Sequence, residues 1–191
     1  MKKLLFLFFL IPNLMFSQTR EQIDSVNYYF GILLRQDRDS VNQYRMENGM
    51  KQLNTVEIET NRKLFVNPDE HIDYCIRKCH NAQVFYPHKG IYRENFHAVT
   101  SMEDISNEYQ DPQKVATILY NRWKYSPKGH FYLMMSDPNF SEGFDYETFI
   151  VRYKFSYKEN VKCPWLMIAT FTVYTAEDRK QQSRNRKRSP T

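Results

Sequence analysis

Two histidines and one carboxylate occupy punctuated positions in the middle of the chain. His88 follows Pro87, Glu94 lies six residues after His88, and His130 follows Gly129. Proline and glycine mark turns, so we expect these three side chains to lie in loops. Imidazole nitrogen and carboxylate oxygen together bind zinc, and the same groups form an acid-base pair near neutral pH. From residue types alone, a shared site and ordinary hydrogen-bonded loop side chains both remain open.

The three cysteines are Cys75, Cys79 and Cys163. A spacing of four puts Cys75 and Cys79 on one helical face with Ile72 and Ile76, which predicts small buried side chains. A disulfide between one of them and Cys163 stays open. A zinc site at the first two is disfavoured, because no second ligand pair follows at the usual spacing. No activated serine or cysteine nucleophile is visible in the sequence.

Three helices are expected to position the central residues. Apolar residues at three-and-four spacing predict the first helix, or two with a short break, over residues 20–48, ended by Gly49. Asn67 and Asp111 each precede a proline, and this capped start predicts helices over residues 67–84 and from 111 to the Ser-Pro pair at 126–127. The buried stripe of the third helix is Val115, Ile118, Leu119 and Trp123, and the polar residues 100–110 are expected to form a surface loop.

The last third of the chain has the pattern of strands. Residues 146–157 and 165–174 are rich in aromatic and β-branched side chains, and a turn is expected at residues 158–160. Two antiparallel strands are the simplest interpretation. With helices first and strands last, we expect an α+β domain in which helices pack on a small, mainly antiparallel sheet.

The termini differ in composition from the rest. Residues 1–17 carry two lysines and then a short apolar run, which predicts a secretory signal peptide cleaved after Ser17, with an uncleaved anchor as the alternative. We therefore expect one domain over residues 18–176, exported through the Sec pathway to a secreted or periplasmic location, without a transmembrane span after cleavage. Residues 177–191 are expected to form a basic, disordered tail.

The net charge of +5 belongs mostly to the ends of the chain. The tail holds six basic residues against Glu177 and Asp178, and the signal segment holds Lys2 and Lys3, so the body is close to neutral. A nucleic-acid-binding domain would carry its positive charge on a folded face, and the sequence shows none. Anionic surfaces are a candidate partner of the tail.

Three segments resemble the CAP superfamily of cysteine-rich secretory proteins, antigen 5 and pathogenesis-related proteins, as a divergent bacterial SCP-like member. Residues 88–95 (HKGIYREN) resemble its His…Gly-Glu-Asn signature. Residues 123–130 (WKYSPKGH) look like its Trp-x-x-Ser-Pro-Gly-His segment with one residue inserted, and residues 41–49 are similar to its opening Asn-x-x-Arg-x-x-x-Gly helix. The resemblance spans about residues 40–174.

The resemblance implies an α-β-α sandwich with one open cleft. His88, Glu94 and His130 match the cleft positions, where members commonly hold a divalent metal, while some members bind sterols or fatty acids elsewhere. Arg93 replaces the family's glycine, and Ser126 stands where eukaryotic members have a second acidic residue. The family's disulfide pattern is also absent from this sequence.

The function that this resemblance implies is that of an extracytoplasmic binding module. Zinc or another divalent metal would be held by His88 and His130, with Glu94 as third ligand or as the group that orients them, and the partner would be a small molecule, a lipid or an extracellular polymer. The alternative is a metal-assisted or acid-base hydrolase of peptide or cell-wall material, with Glu94 as general base and His130 polarising the scissile carbonyl. A scaffold with an inactive cleft is the third hypothesis.

Overall fold

Helices lie on both faces of a small sheet. The computed structural model describes residues 19–64, 66–78, 97–104, 111–127, 130–136, 145–156 and 166–176. In chain order the elements are α1 (Arg20–Glu47), β1 (Glu57–Ile58), a 3₁₀ turn (Arg62–Leu64), α2 (Val66–Lys78), β2 (His97–Asp104), α3 (Pro112–Lys124), α4 (His130–Met134), β3 (Thr148–Ser156) and β4 (Leu166–Tyr174). The α+β class predicted from the sequence is confirmed.

The first helix is one continuous element. The Thr19 hydroxyl accepts a hydrogen bond from the Gln22 amide, and the Gln22 side chain accepts one from the Thr19 amide, which forms a capping box. The helix stops where predicted, because Gly49 has a φ of 67°, a left-handed conformation that suits glycine. No helix within the described ranges is long and apolar enough to cross a membrane.

The sheet is mainly antiparallel, with the strand order β1-β3-β4-β2. The two predicted strands pair as expected, with Val151 opposite Phe171. β2 also pairs antiparallel with β4, over all eight of its residues. The prediction of a surface loop is therefore wrong for residues 100–104. Their polar composition disfavours a strand, but the continuous ladder to β4 decides the outcome, because strand preference depends on neighbours more than on composition.

Successive strand residues point to opposite faces, and each face has its own helices. One face packs on α1 and α3, where the rings of Phe30, Trp123, Phe149 and Phe171 form a cluster with centroids 5.3–5.9 Å apart. Trp123 is fully buried there, as predicted. This aromatic cluster is the centre of the main core.

The other face packs on α2. Ile72 and Cys75 contact Ile168 of β4, and Arg152 of β3 donates two hydrogen bonds to Asp69 at 2.9 Å. The burial predicted for Cys75 is confirmed. This helix begins at Val66, so the prediction that residue 67 caps it is wrong by a residue or two, although its proline still lies in the first turn.

The edge of β3 is completed by a side chain of α1. β1 pairs with β3 in parallel for two residues, and its hydrogen bonds end where the Glu59 amide donates to the Phe149 carbonyl. At the next position the Asn27 amide takes the place of a strand. It donates to the Val151 carbonyl at 2.9 Å and accepts from the Val151 amide at 2.7 Å. Asn27 therefore satisfies backbone groups that a short edge strand would leave unpaired.

Several predicted features lie outside the described residues. They are the signal segment 1–17, residues 79–84 of the second helix with Cys79, the turn at 158–160, Cys163, and the tail 177–191.

Candidate functional site

One of the three predicted site residues lies in the described part of the chain. His130 was expected in a loop, which is wrong: it is the first residue of the short helix α4, and it is half-buried. His88 and Glu94 lie outside the described residues. Among the side chains of the described ranges, no group of three His, Cys, Asp or Glu residues is placed to hold a metal ion. That statement does not cover His88 and Glu94, because they lie outside the described residues.

The position of His130 follows from the helix before it. Asp111 caps α3, its carboxylate accepting from the Gln113 amide at 2.9 Å, and Pro112 opens the first turn as predicted. The other end of α3 is fixed by Trp123 in the aromatic core. The chain then turns after Tyr125 and enters α4 within a few residues. His130 is thus held close to the end of an element that is anchored in the core.

The far end of α4 is held by a buried arginine. The Arg38 guanidinium donates to the Met134 carbonyl and the Ser136 hydroxyl at 3.1 Å, and to an Asp145 carboxylate oxygen at 2.7 Å. It also stacks over the Tyr146 ring, with 4.5 Å from Cζ to the ring centroid. A buried guanidinium needs such partners, because an unpaired charge in a protein interior is strongly unfavourable.

Asp145 and Tyr146 complete this arrangement. The second Asp145 oxygen accepts from the Asn54 amide at 2.6 Å, and the Tyr146 hydroxyl donates to the Met134 carbonyl at 2.5 Å. Burial raises the pKa of the Tyr146 phenol above its ordinary range, although the neighbouring Arg38 opposes the shift. These groups are engaged in holding loops together, so we assign them a structural role for α4.

A second polar group lies at the junction of α1, α3 and α4. The Tyr120 hydroxyl and the Lys124 ammonium share one oxygen of Asp37, at 2.5 and 2.6 Å. The same ammonium lies 5.8 Å from the centroid of the Phe131 ring, next to His130 in sequence. Burial, followed by the hydrogen bond to Asp37, raises the pKa of Tyr120 above its ordinary range. Tyr120 therefore keeps its proton, and its hydrogen bond to Asp37, to a higher pH than an ordinary tyrosine.

Sequence reasoning did not identify Arg38, Asp37 or Asp145 as important. Arg38 and Asp145 are 107 positions apart, and charged residues at such separations have no periodicity that would pair them. Trp123 was identified because helical spacing reveals a buried face.

No family model matches the chain, and the comparisons with curated proteins and with solved structures gave no match either.

Proposed function

We propose that the protein is an exported binding module of CAP type, whose cleft holds a divalent metal through His88, Glu94 and His130. The observation that carries this proposal is the position of His130. It begins a short helix directly after a core-anchored helix, and it is half-buried rather than fully exposed. A ligand must be both fixed and accessible, and this residue meets both conditions.

The layer arrangement supports the same proposal. Helices on both faces of a mainly antiparallel sheet are what the resemblance to the CAP family implies, and α1, α2 and α3 lie in this way. The fully buried Trp123 is also consistent with the Trp-to-His segment being a structural unit that presents its histidine.

The proposed chemistry follows from the ligand set. Two imidazole nitrogens and one carboxylate oxygen are suitable ligands for zinc, and three protein ligands leave one position open for a water molecule or a bound ligand. An open position in an exported protein suits capture of a small molecule, a lipid head group or an extracellular polymer.

A calorimetric zinc titration of residues 18–191 tests this proposal. We expect one saturable binding event that is lost in the His88→Ala, His130→Ala double variant. Tyr132→Ala is the matched control, because Tyr132 is exposed on the same short helix as His130 and should leave binding unchanged. Zinc binding that the double variant retains in full would contradict the metal role of these histidines.

The same preparation distinguishes a module from a hydrolase. Binding without turnover of a pooled peptide or peptidoglycan substrate is the expected result. Turnover that Glu94→Gln abolishes would replace the binding module by a metal-assisted hydrolase.

A further inference from the structure

The carboxylate of Asp37 lies where α1, α3 and α4 meet. One of its oxygens, Oδ2, is 2.5 Å from the Tyr120 hydroxyl and 2.6 Å from the Lys124 ammonium. The side chains of Lys124 and Asp37 are 27% and 23% exposed, so solvent screens this ion pair less than it screens a pair on the open surface. Tyr120 is 3% exposed and belongs to the main core. The carboxylate therefore fixes the ammonium at one place relative to the core.

The fixed ammonium reaches α4 through an aromatic ring. Lys124 Nζ lies 5.8 Å from the centroid of the Phe131 ring. It also lies 5.9 Å from the Tyr120 centroid and 5.8 Å from the Tyr125 centroid. Each distance is within the range of cation–π attraction between an ammonium and a ring. Phe131 packs against the main core and directly follows His130, so the ammonium holds the residue next to the proposed ligand.

A helix as short as α4 depends on contacts of this kind. It spans His130–Met134, and five residues form too few backbone hydrogen bonds to offset the cost of starting a helix. Arg38 holds its far end by donating to the Met134 carbonyl. The contact between the Lys124 ammonium and the Phe131 ring acts at the end where His130 lies. The two cations thus hold the two ends of α4.

We propose that Asp37 and Lys124 are positioning residues for His130. The carboxylate holds the ammonium, the ammonium holds the Phe131 ring, and the His130 imidazole next to it keeps one orientation. This inference rests on the proposed function, in which His130 is a metal ligand. A ligand that is already held in one orientation binds more tightly than one that must first be ordered, because less conformational entropy is lost on binding.

An effect of Lys124 through its charge alone would have the opposite sign. An ammonium repels a divalent cation, so removing the charge by Lys124→Met would strengthen zinc binding. If Lys124 positions His130, the same substitution weakens zinc binding. Asp37→Asn keeps the shape of the side chain but removes the charge that holds the ammonium, so it weakens binding as well. The direction of the change in Lys124→Met therefore separates the two explanations.

The first experiment is the calorimetric zinc titration of residues 18–191, repeated with these variants. We expect Lys124→Met and Asp37→Asn each to weaken zinc binding by about tenfold, the lower end for groups that orient a metal ligand. The double variant should bind no more weakly than either single one, because the two residues act as a unit. Lys124→Arg should keep most of the affinity, since a guanidinium also pairs with a carboxylate and stacks on a ring. Lys114→Met, at an exposed lysine of the same helix, is the matched control and should bind zinc normally.

The second experiment uses the metal-free protein, so it decides the question even if the unmodified protein binds no zinc and the proposed function fails. NMR records the ring-proton resonances of His130, assigned by comparison with His130→Gln. In Lys124→Met and Asp37→Asn these resonances should move toward those of an unstructured peptide, and in Lys114→Met they should stay unchanged.

Two results would overturn the proposal. One is a set of His130 resonances that Lys124→Met and Asp37→Asn leave unchanged, even where both variants unfold more easily. The other is zinc binding that becomes tighter, or stays the same, in Lys124→Met. Either result would reduce the Asp37 and Lys124 pair to a link between α1 and α3.

Discussion

Arg38 is the residue on which the loops around α4 depend. Its side chain is 3% exposed and that of its partner Asp145 is 20% exposed, so the pair is largely removed from water. Replacing one partner leaves the other charge in a site that cannot hydrate it well. The same substitution would also remove the donors to the Met134 carbonyl and the Ser136 hydroxyl.

We predict that Arg38→Met lowers the free energy of unfolding by about 3 kcal/mol, near the lower end for breaking a buried pair because Asp145 keeps some contact with solvent. Arg20→Met is the control. Arg20 forms an exposed pair with Asp24, and exposed pairs contribute about 0–1 kcal/mol. Urea unfolding measures both variants, and equal losses would contradict a special role for Arg38.

Tyr120 gives a prediction about alkaline stability. Its pKa is raised in the folded protein, while the phenol of the unfolded chain ionises near pH 10. Its contribution to stability is therefore fully present below about pH 10 and decreases at higher pH, where only the unfolded chain releases the proton. The expected decrease is up to about 1.4 kcal/mol per pH unit.

We predict that Tyr120→Phe makes the free energy of unfolding fall less steeply above about pH 10, since one linked proton is removed. Tyr125→Phe is the control, because Tyr125 is 73% exposed. Urea unfolding at a series of alkaline pH values gives the slopes. An unchanged slope in Tyr120→Phe would show that this phenol does not hold its proton more tightly on folding.

At the scale of residues, helical periodicity predicts which apolar side chains are buried. It does not predict the burial of side chains whose partners lie far away along the chain. Trp123 and Cys75 were predicted to be buried because they lie on apolar helical faces. The burial of Arg38 was not predictable, because its partners Asn54, Met134 and Asp145 come from three separate segments of the chain. Of the candidate cleft, His130 alone lies in the described part of the chain, so the grouping of the three residues remains a prediction.

At the scale of elements, Asn27 joins a helix to the edge of a strand. Its side-chain amide takes both backbone groups of Val151 beyond the end of β1. Nothing in the amino-acid pattern indicates this role, since asparagine in a helix usually faces solvent. The position was predicted to be helical, but the contact depends on how the helix crosses the sheet.

We predict that Asn27→Ala lowers the free energy of unfolding by about 1–3 kcal/mol, because two backbone groups lose their partner in a buried environment. Gln36→Ala is the control on the exposed side of the same helix and should change stability by less than about 0.5 kcal/mol. Amide exchange at Val151 should accelerate in Asn27→Ala alone. Unchanged exchange there would mean that the strand edge is protected in another way.

The strands show why some elements were predicted more accurately than others. β3 and β4 have the alternation of a half-buried strand, and both were predicted within two residues of their observed bounds. β2 ends in the polar residues Glu103 and Asp104, and it was predicted in part as loop. Its place in the sheet is set by the ladder to β4, which pairs residues 62 positions apart at Asp104↔Leu166 and 76 positions apart at His97↔Val173.

At the scale of the whole molecule, the two helical layers are held to the sheet by different means. α1 and α3 share the large aromatic cluster with the sheet. α2 has a smaller apolar contact through Ile72, Cys75 and Ile168, together with ion pairs from Asp69 to Arg152 and from Asp73 to Lys154. Which of these contacts holds α2 decides how salt and mutation affect this layer.

We predict that the apolar contact is the stronger one. Ile72→Ala should lower the free energy of unfolding by about 2–5 kcal/mol, because Ile72 is fully buried and its truncation leaves a cavity. Lys154→Met should cost less than about 1 kcal/mol, since its ion pair with Asp73 is partly exposed and solvent screens it. Arg152→Met should cost somewhat more than Lys154→Met, because the Arg152 pair is bidentate and less exposed.

Urea unfolding at low and high salt separates the two contributions. The loss in Ile72→Ala should be the same at both salt concentrations, whereas the losses in the two ion-pair variants should shrink at high salt. If Lys154→Met proved as damaging as Ile72→Ala and lost that effect in salt, α2 would be held mainly by charge. In that case α2 would separate from the sheet more readily at high ionic strength.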